Sequence, residues 1–129
     1  SIKIKNLNLK SKFSYLKEKL TLRFYKLILG RKRMPILNGK LKGMLWPIKS
    51  NYLFIYGNYE HPNVLKWFDD NLDSESVFYD LGANHGYYSF YASKTINKGK
   101  IYAFEPIGEH YETMVNIAKV NEECTNKLF

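Results

Sequence analysis

The 129 residues contain one cysteine, Cys124. That excludes an intramolecular disulfide and a cysteine-rich zinc site, and it suits a reducing compartment in which the lone thiol is buried or inert. Long apolar runs are missing as well. The nearest, Leu27-Ile28-Leu29, falls far short of the roughly 18 residues a membrane-spanning helix needs. No apolar stretch followed by a small-residue cleavage site trails the lysine-rich start, so no secretory signal is expected. Acid is almost absent from residues 1–50, where Glu18 stands alone against fourteen lysines and arginines, a net +13. Residues 51–129 carry six bases and eleven acids, a net −5, which brings the whole chain to +8. What is present is core-forming material. Apolar residues make up 45% and aromatics 16%, eleven of them tyrosines, so the chain is no disordered tail, and its length suits one domain rather than a multidomain enzyme.

Leu9, Phe13, Leu16, Leu20, Phe24 and Leu27 recur at spacings of 4, 3, 4, 4 and 3, which puts them on one stripe of an α-helix. Lys10, Lys12, Lys17, Lys19, Arg23 and Lys26 occupy the other faces. Gly30, Arg31-Lys32-Arg33 and Pro35 then supply stop signals. Such a helix is expected to pack on its own domain with a solvated outer face. The alternatives are peripheral membrane contact through residues 9–33 or another partner. No nucleic acid is expected, because neither a helix-turn-helix nor an aromatic-and-basic strand module accompanies the charge.

From Lys40 to Gly57, two runs of β-branched, aromatic and aliphatic residues flank the polar break Lys49-Ser50-Asn51, which predicts a β-hairpin. Pro62 and the near-helical spacing of Val64, Leu65, Trp67, Phe68 and Leu72 predict a short helix from His61, ending near Asp73-Ser74. His61 beside Glu60 is better explained as a capping or surface residue than as half of a catalytic pair. His110, within a helical stretch, is assigned to a solvated face.

Chemistry concentrates further on. Val77-Phe78-Tyr79 has the character of a buried parallel strand and runs into Asp80-Leu81-Gly82-Ala83-Asn84-His85-Gly86, after which helix-forming aromatic sequence begins. A second strand is expected at Lys100–Phe104, entered through Asn97-Lys98-Gly99 and ending on Glu105-Pro106. A second helix follows with Ile107, Tyr111, Met114, Val115 and Ala118 at helical spacing. This β-α-β-α order suits a nucleotide-like cofactor. Gly82 and Gly86 allow a tight turn and close approach, the helix opening near His85 offers N–H groups to an anion, and Glu105 lies where a carboxylate accepts ribose hydroxyls. Asn84 stands where the dinucleotide fingerprint has its second glycine, which disfavours NAD and FAD. S-adenosylmethionine lacks a pyrophosphate. Amides around Ala83 to Gly86 would hold its carboxylate, and Asp80 would attract its ammonium. Tyr87, Tyr88, Phe90 and Tyr91 are expected to pack the core rather than to cage a sulfonium, with Tyr87 or Tyr88 as the exception. Ser89 after His85 is not a hydrolase triad.

The run YDLGANHGYYSFYASK, followed by AFEP and NIAKVN with GNYE upstream, resembles the FkbM-type S-adenosylmethionine-dependent methyltransferases over about residues 40–129. The resemblance implies an α/β, Rossmann-like methyltransferase fold and methyl transfer, mostly to oxygen, on sugars, glycolipids or secondary metabolites. Its cofactor-site pattern falls on Asp80, Gly82, Asn84, Gly86 and Glu105, with Glu60 added. His85 departs from the aliphatic residue usual at its place.

Three segments follow: a basic helical one over 1–37, a hairpin and short helix over 38–75, and the first half of an S-adenosylmethionine-binding domain over 76–129. Such folds have about seven strands, so the sheet is expected to be incomplete. The missing part would supply the substrate pocket and the general base, so no catalytic residue is assigned and no metal ligand set is seen. Open strand edges would favour self-association. The expected acceptor is a small molecule or glycan, and the expected location is cytoplasmic, with peripheral membrane contact. Two other readings compete: a truncated, non-catalytic product whose basic helix binds a membrane surface or partner, and an NAD-dependent oxidoreductase.

Overall fold

In a computed structural model the described residues are 16–24, 27, 32–50, 52–57 and 61–122. The chain divides into two compact units, residues 1–32 and 33–129. Within the described residues the architecture is mixed α/β, with five helices and two small sheets.

In the first unit, residues 16–24 form helix α1. Its predicted apolar stripe does not pack as expected: Leu16, Leu20, Phe24 and Leu27 are all more than half exposed. Leu9 and Phe13, at the start of the stripe, lie outside the described residues.

The second unit opens with strand β1 (Arg33–Pro35) antiparallel to β2 (Leu45–Pro47), Met34 opposite Trp46. The hairpin therefore lies earlier than the sequence pattern placed it. Residues 33–37 belong to this unit. Residues 52–56, expected to form the returning strand, are helix α2 (Tyr52–Tyr56). Tertiary contacts override the strand propensity of Leu53-Phe54-Ile55-Tyr56. As a helix this stretch buries Ile55 completely, presents Phe54 to Trp46 with ring centroids 5.5 Å apart, and still gives the Ile55 carbonyl a donor in the Leu37 N–H.

Helix α3 (Pro62–Asn71) starts on proline, which loses no hydrogen bond in a first turn. It buries one residue, Phe68, among the rings of Phe78, Tyr88 and Tyr91. An Asp73 carboxylate that accepts from Ser76 Oγ and the Glu75 N–H then turns the chain into the second sheet.

There β3 (Val77–Leu81) and β4 (Lys100–Phe104) pair in parallel, Val77 opposite Lys100 and Leu81 opposite Phe104, joined through α4 (Tyr87–Ser93). Helix α5 (Gly108–Val120) follows. Alternation decides which residues enter the core: Phe78, Asp80 and Ile101 turn inward, while Val77, Tyr79, Leu81, Tyr102 and Phe104 turn out and remain exposed. Helix α4 is the most buried element, with Tyr87, Ser89, Phe90, Tyr91 and Ala92 all enclosed. On α5 the buried set is Met114, Ile117 and Ala118, whereas Ile107 and Tyr111, expected to face inward, are about half exposed.

Candidate functional site

The turn between β3 and α4 is built from three left-handed residues, Gly82 (φ 85°), Asn84 (φ 52°) and Gly86 (φ 82°). Its geometry uses the backbone amides internally. The N–H groups of Gly82 and Ala83 both donate to the Phe104 carbonyl, at 2.9 and 3.0 Å. Asn84 N–H donates to Glu105 Oε2 (2.7 Å), His85 N–H to Asn84 Oδ1 (2.8 Å) and Gly86 N–H to the Ala83 carbonyl (2.7 Å). Five consecutive amides thus have acceptors. This differs from the expectation of free N–H groups awaiting an anion, and the cause is local: Asn84 in the left-handed region swings its own N–H toward β4 and brings its side chain under His85.

Glu105 directly follows β4 beside this turn, its side chain 5% exposed. Oε1 accepts from the Ile107 N–H at 2.8 Å while Oε2 holds Asn84. The bond from Ile107 is the main reason its pKa lies below the ordinary carboxylate value, and the bond from Asn84 adds to it, so Glu105 is a carboxylate at neutral pH. Each oxygen retains a second lone pair for a further donor.

Leu81, Gly82, Phe104, Glu105, Pro106 and Tyr111 line an open groove of about 420 Å³. A Cβ placed on Gly82 would meet nothing within 4 Å, so this glycine borders open space. At Gly86 the same atom would lie 2.8 Å from Met114 Cγ and 2.9 Å from Phe90 Cε2. One glycine lets something approach the backbone; the other lets α4 and α5 close.

The expected site residues separate accordingly. Gly82 and Glu105 meet at the groove, and Asn84 is tied to Glu105. Asp80 is buried with its Oδ2 accepting from Ser89 Oγ at 2.6 Å, so its carboxyl group sits beneath the turn against α4. Ala83 and Gly86 are buried in the turn itself. Glu60 and Cys124 lie outside the described residues. Tyr87, Phe90 and Tyr91 pack the core, and Tyr88 stacks on Phe68, so none of the four tops the groove. His61 is exposed at the α3 N-cap.

His110 departs from its assignment to a solvated face. Its ring meets that of His85 edge-on at 5.1 Å, its Nδ1 lies 3.8 Å from Glu105 Oε1, and the Nδ1 atoms of both histidines are buried without a hydrogen-bond partner. Burial, and then the neighbouring His110, lower the pKa of His85. Among the described residues no group of three or more His, Cys, Asp or Glu is placed to hold a metal ion.

Sequence reasoning gave no supporting role to Ser89, Lys40, Asp69 or Tyr91. Ser89 carries the hydroxyl that fixes Asp80. Lys40 bonds Asp69 (2.7 Å) and Thr95 (2.6 Å), and Tyr91 completes the cluster through Asp69 Oδ2 (2.8 Å). Burial, reinforced by Asp69, pushes the Tyr91 hydroxyl up to about 12. Lys40, Asp69 and Tyr91 are too far apart in the chain for spacing to link them. No protein-family model, no curated protein and no solved structure matches this chain.

Proposed function

We propose that the second unit is the cofactor-binding part of a Rossmann-like, S-adenosylmethionine-dependent methyltransferase of the FkbM type. In this reading it transfers a methyl group to a hydroxyl oxygen of a sugar, glycolipid or secondary metabolite, in the cytoplasm. The observation that supports the reading best is the pairing of Gly82, with open space over its Cα, and an ionised Glu105 directly after the adjacent parallel strand, both on one groove. A ribose needs this: close backbone approach and a carboxylate that accepts two hydroxyl protons. S-adenosylmethionine supplies an electrophilic methyl carbon for attack by an acceptor oxygen. Gly82 admits the cofactor to the backbone, Glu105 orients its sugar through the lone pairs left over from Asn84 and Ile107, and buried Asp80, held by Ser89, sets its carboxyl group under the turn. Docking of the carboxylate end requires the His85 N–H to exchange Asn84 Oδ1 for the ligand, which keeps the hydrogen-bond count unchanged.

Calorimetry with S-adenosylhomocysteine and with NADH tests the reading. Heat with the first and none with the second is expected, and Glu105→Ala should weaken binding roughly ten- to a hundredfold. Heat with NADH alone would favour the oxidoreductase. Silence with both would favour a non-catalytic product, a reading supported by the closed set of turn amides.

A further inference from the structure

Helix α1 leaves its apolar side chains in solvent: Leu16 is 57% exposed, Leu20 61%, Phe24 62% and, one turn on, Leu27 78%. At about 100° per residue these four positions fall within about 80° of the helix circumference. Isolated exposed leucines are ordinary, but four on one stripe form a continuous apolar surface. Its borders are basic. Lys17 and Arg23, both exposed, follow the two edges of the stripe, and Lys19 lies beyond. Long basic side chains at such edges lay their alkyl stems along apolar surface and carry the charge outward.

We propose that this helix docks on an anionic lipid bilayer surface, lying in the headgroup plane with Leu16, Leu20, Phe24 and Leu27 directed toward the acyl boundary. The charge pattern selects this occupant. The unit that carries this helix, residues 1–32, holds ten bases and one acid, a charge that matches a continuous sheet of anionic headgroups. A phosphate backbone would satisfy the charge but give the leucine and phenylalanine stripe nothing to bury against. Apolar burial and electrostatic attraction together determine the affinity of an interfacial helix. Among the described residues no helix is long and apolar enough to cross a membrane, so the contact is with the surface. The proposal stands apart from methyl transfer and does not depend on it.

Sedimentation of the 129-residue chain with phosphatidylcholine vesicles, with and without phosphatidylserine, tests it. Recovery is expected only with phosphatidylserine and should be lost in high salt. Leu20→Gln/Phe24→Gln, which leaves the charge untouched, should lower partitioning about tenfold or more, and so should Lys17→Glu/Lys19→Glu. Equal recovery on neutral vesicles, no recovery on either, or undiminished recovery of the glutamine variant would overturn the proposal. So would complete displacement by a polyacidic peptide or an RNA at equal charge, each of which would identify a different partner.

Discussion

Gly82 and Gly86 have nearly the same φ, yet substitution should separate them. Gly86→Ala combines left-handed strain with a collision against Met114 and Phe90, and a loss of about 2–4 kcal/mol is expected in a denaturant melt. Gly82→Ala meets open space and should cost only the strain, about 1–2 kcal/mol, while obstructing the groove. Equal destabilisation by the two would contradict the division of roles. At His85 the sign of the pH dependence follows from burial. Its folded pKa lies below the ordinary value of 6.5, so as pH falls through that value the unfolded chain takes up a proton that the folded chain refuses. The stability this residue permits is complete above about 6.5 and declines below it. Glu105, whose pKa is depressed, adds a second loss only below its ordinary 4.5. Melting temperatures followed downward from neutral pH should decline in those two stages, and His85→Gln should flatten the first. The glycine turn and the acid that directly follows β4 were legible in the sequence because backbone geometry demands those residue types at that spacing. The occupancy of the turn amides was not: it depends on the rotation of Asn84 and on a carboxylate 21 residues away.

Elements with both a period and punctuation emerged where the sequence placed them. Pro62 opened α3, Asn97-Lys98-Gly99 admitted β4, and the parallel pairing followed from an intervening helix. The segment 52–56 went the other way, since five apolar and aromatic residues carry no period of their own and the Trp46 surface decided their conformation. The hydrogen-bonded link from the end of α5 to β2 was also hidden, because one amide makes it. Asn121 is buried, accepts the Leu45 N–H at 2.7 Å, and donates to the carbonyls of Leu45 (3.1 Å) and Ile117 (2.7 Å). It serves β2 as an adjacent strand would. Asn121→Ala should therefore destabilise the chain by about 1–3 kcal/mol, measured by chemical denaturation. Asn121→Asp should not rescue it, because a carboxylate would face two carbonyl oxygens. Wild-type stability in the alanine variant would show that water replaces the clamp.

Across the whole chain, charge divides into a basic start over residues 1–50 and an acidic remainder, whereas the two compact units meet at residues 32 and 33. The exposed face of the parallel pair was legible only as an expectation of open edges. Tyr79 and Tyr102 stack at 5.0 Å on that face, flanked by Val77, Leu81 and Phe104. A two-stranded sheet with an uncovered apolar face should self-associate. Sedimentation velocity is expected to show a mass that rises with concentration, and Tyr79→Lys/Tyr102→Lys should return the monomer. A constant monomer mass for the unaltered chain would dismiss the idea. The Asn121 clamp also imposes a schedule on synthesis. Leu45 is made 76 residues before the side chain that completes its bonding. At about 5–20 residues per second, the hairpin waits roughly 4–15 s on the ribosome for its last partner. Trp46 waits for Tyr87 and Phe90 over part of that time. The N-terminal part of the second unit is thus the first to be born and among the last to settle, and that interval is when a chaperone would have most to hold.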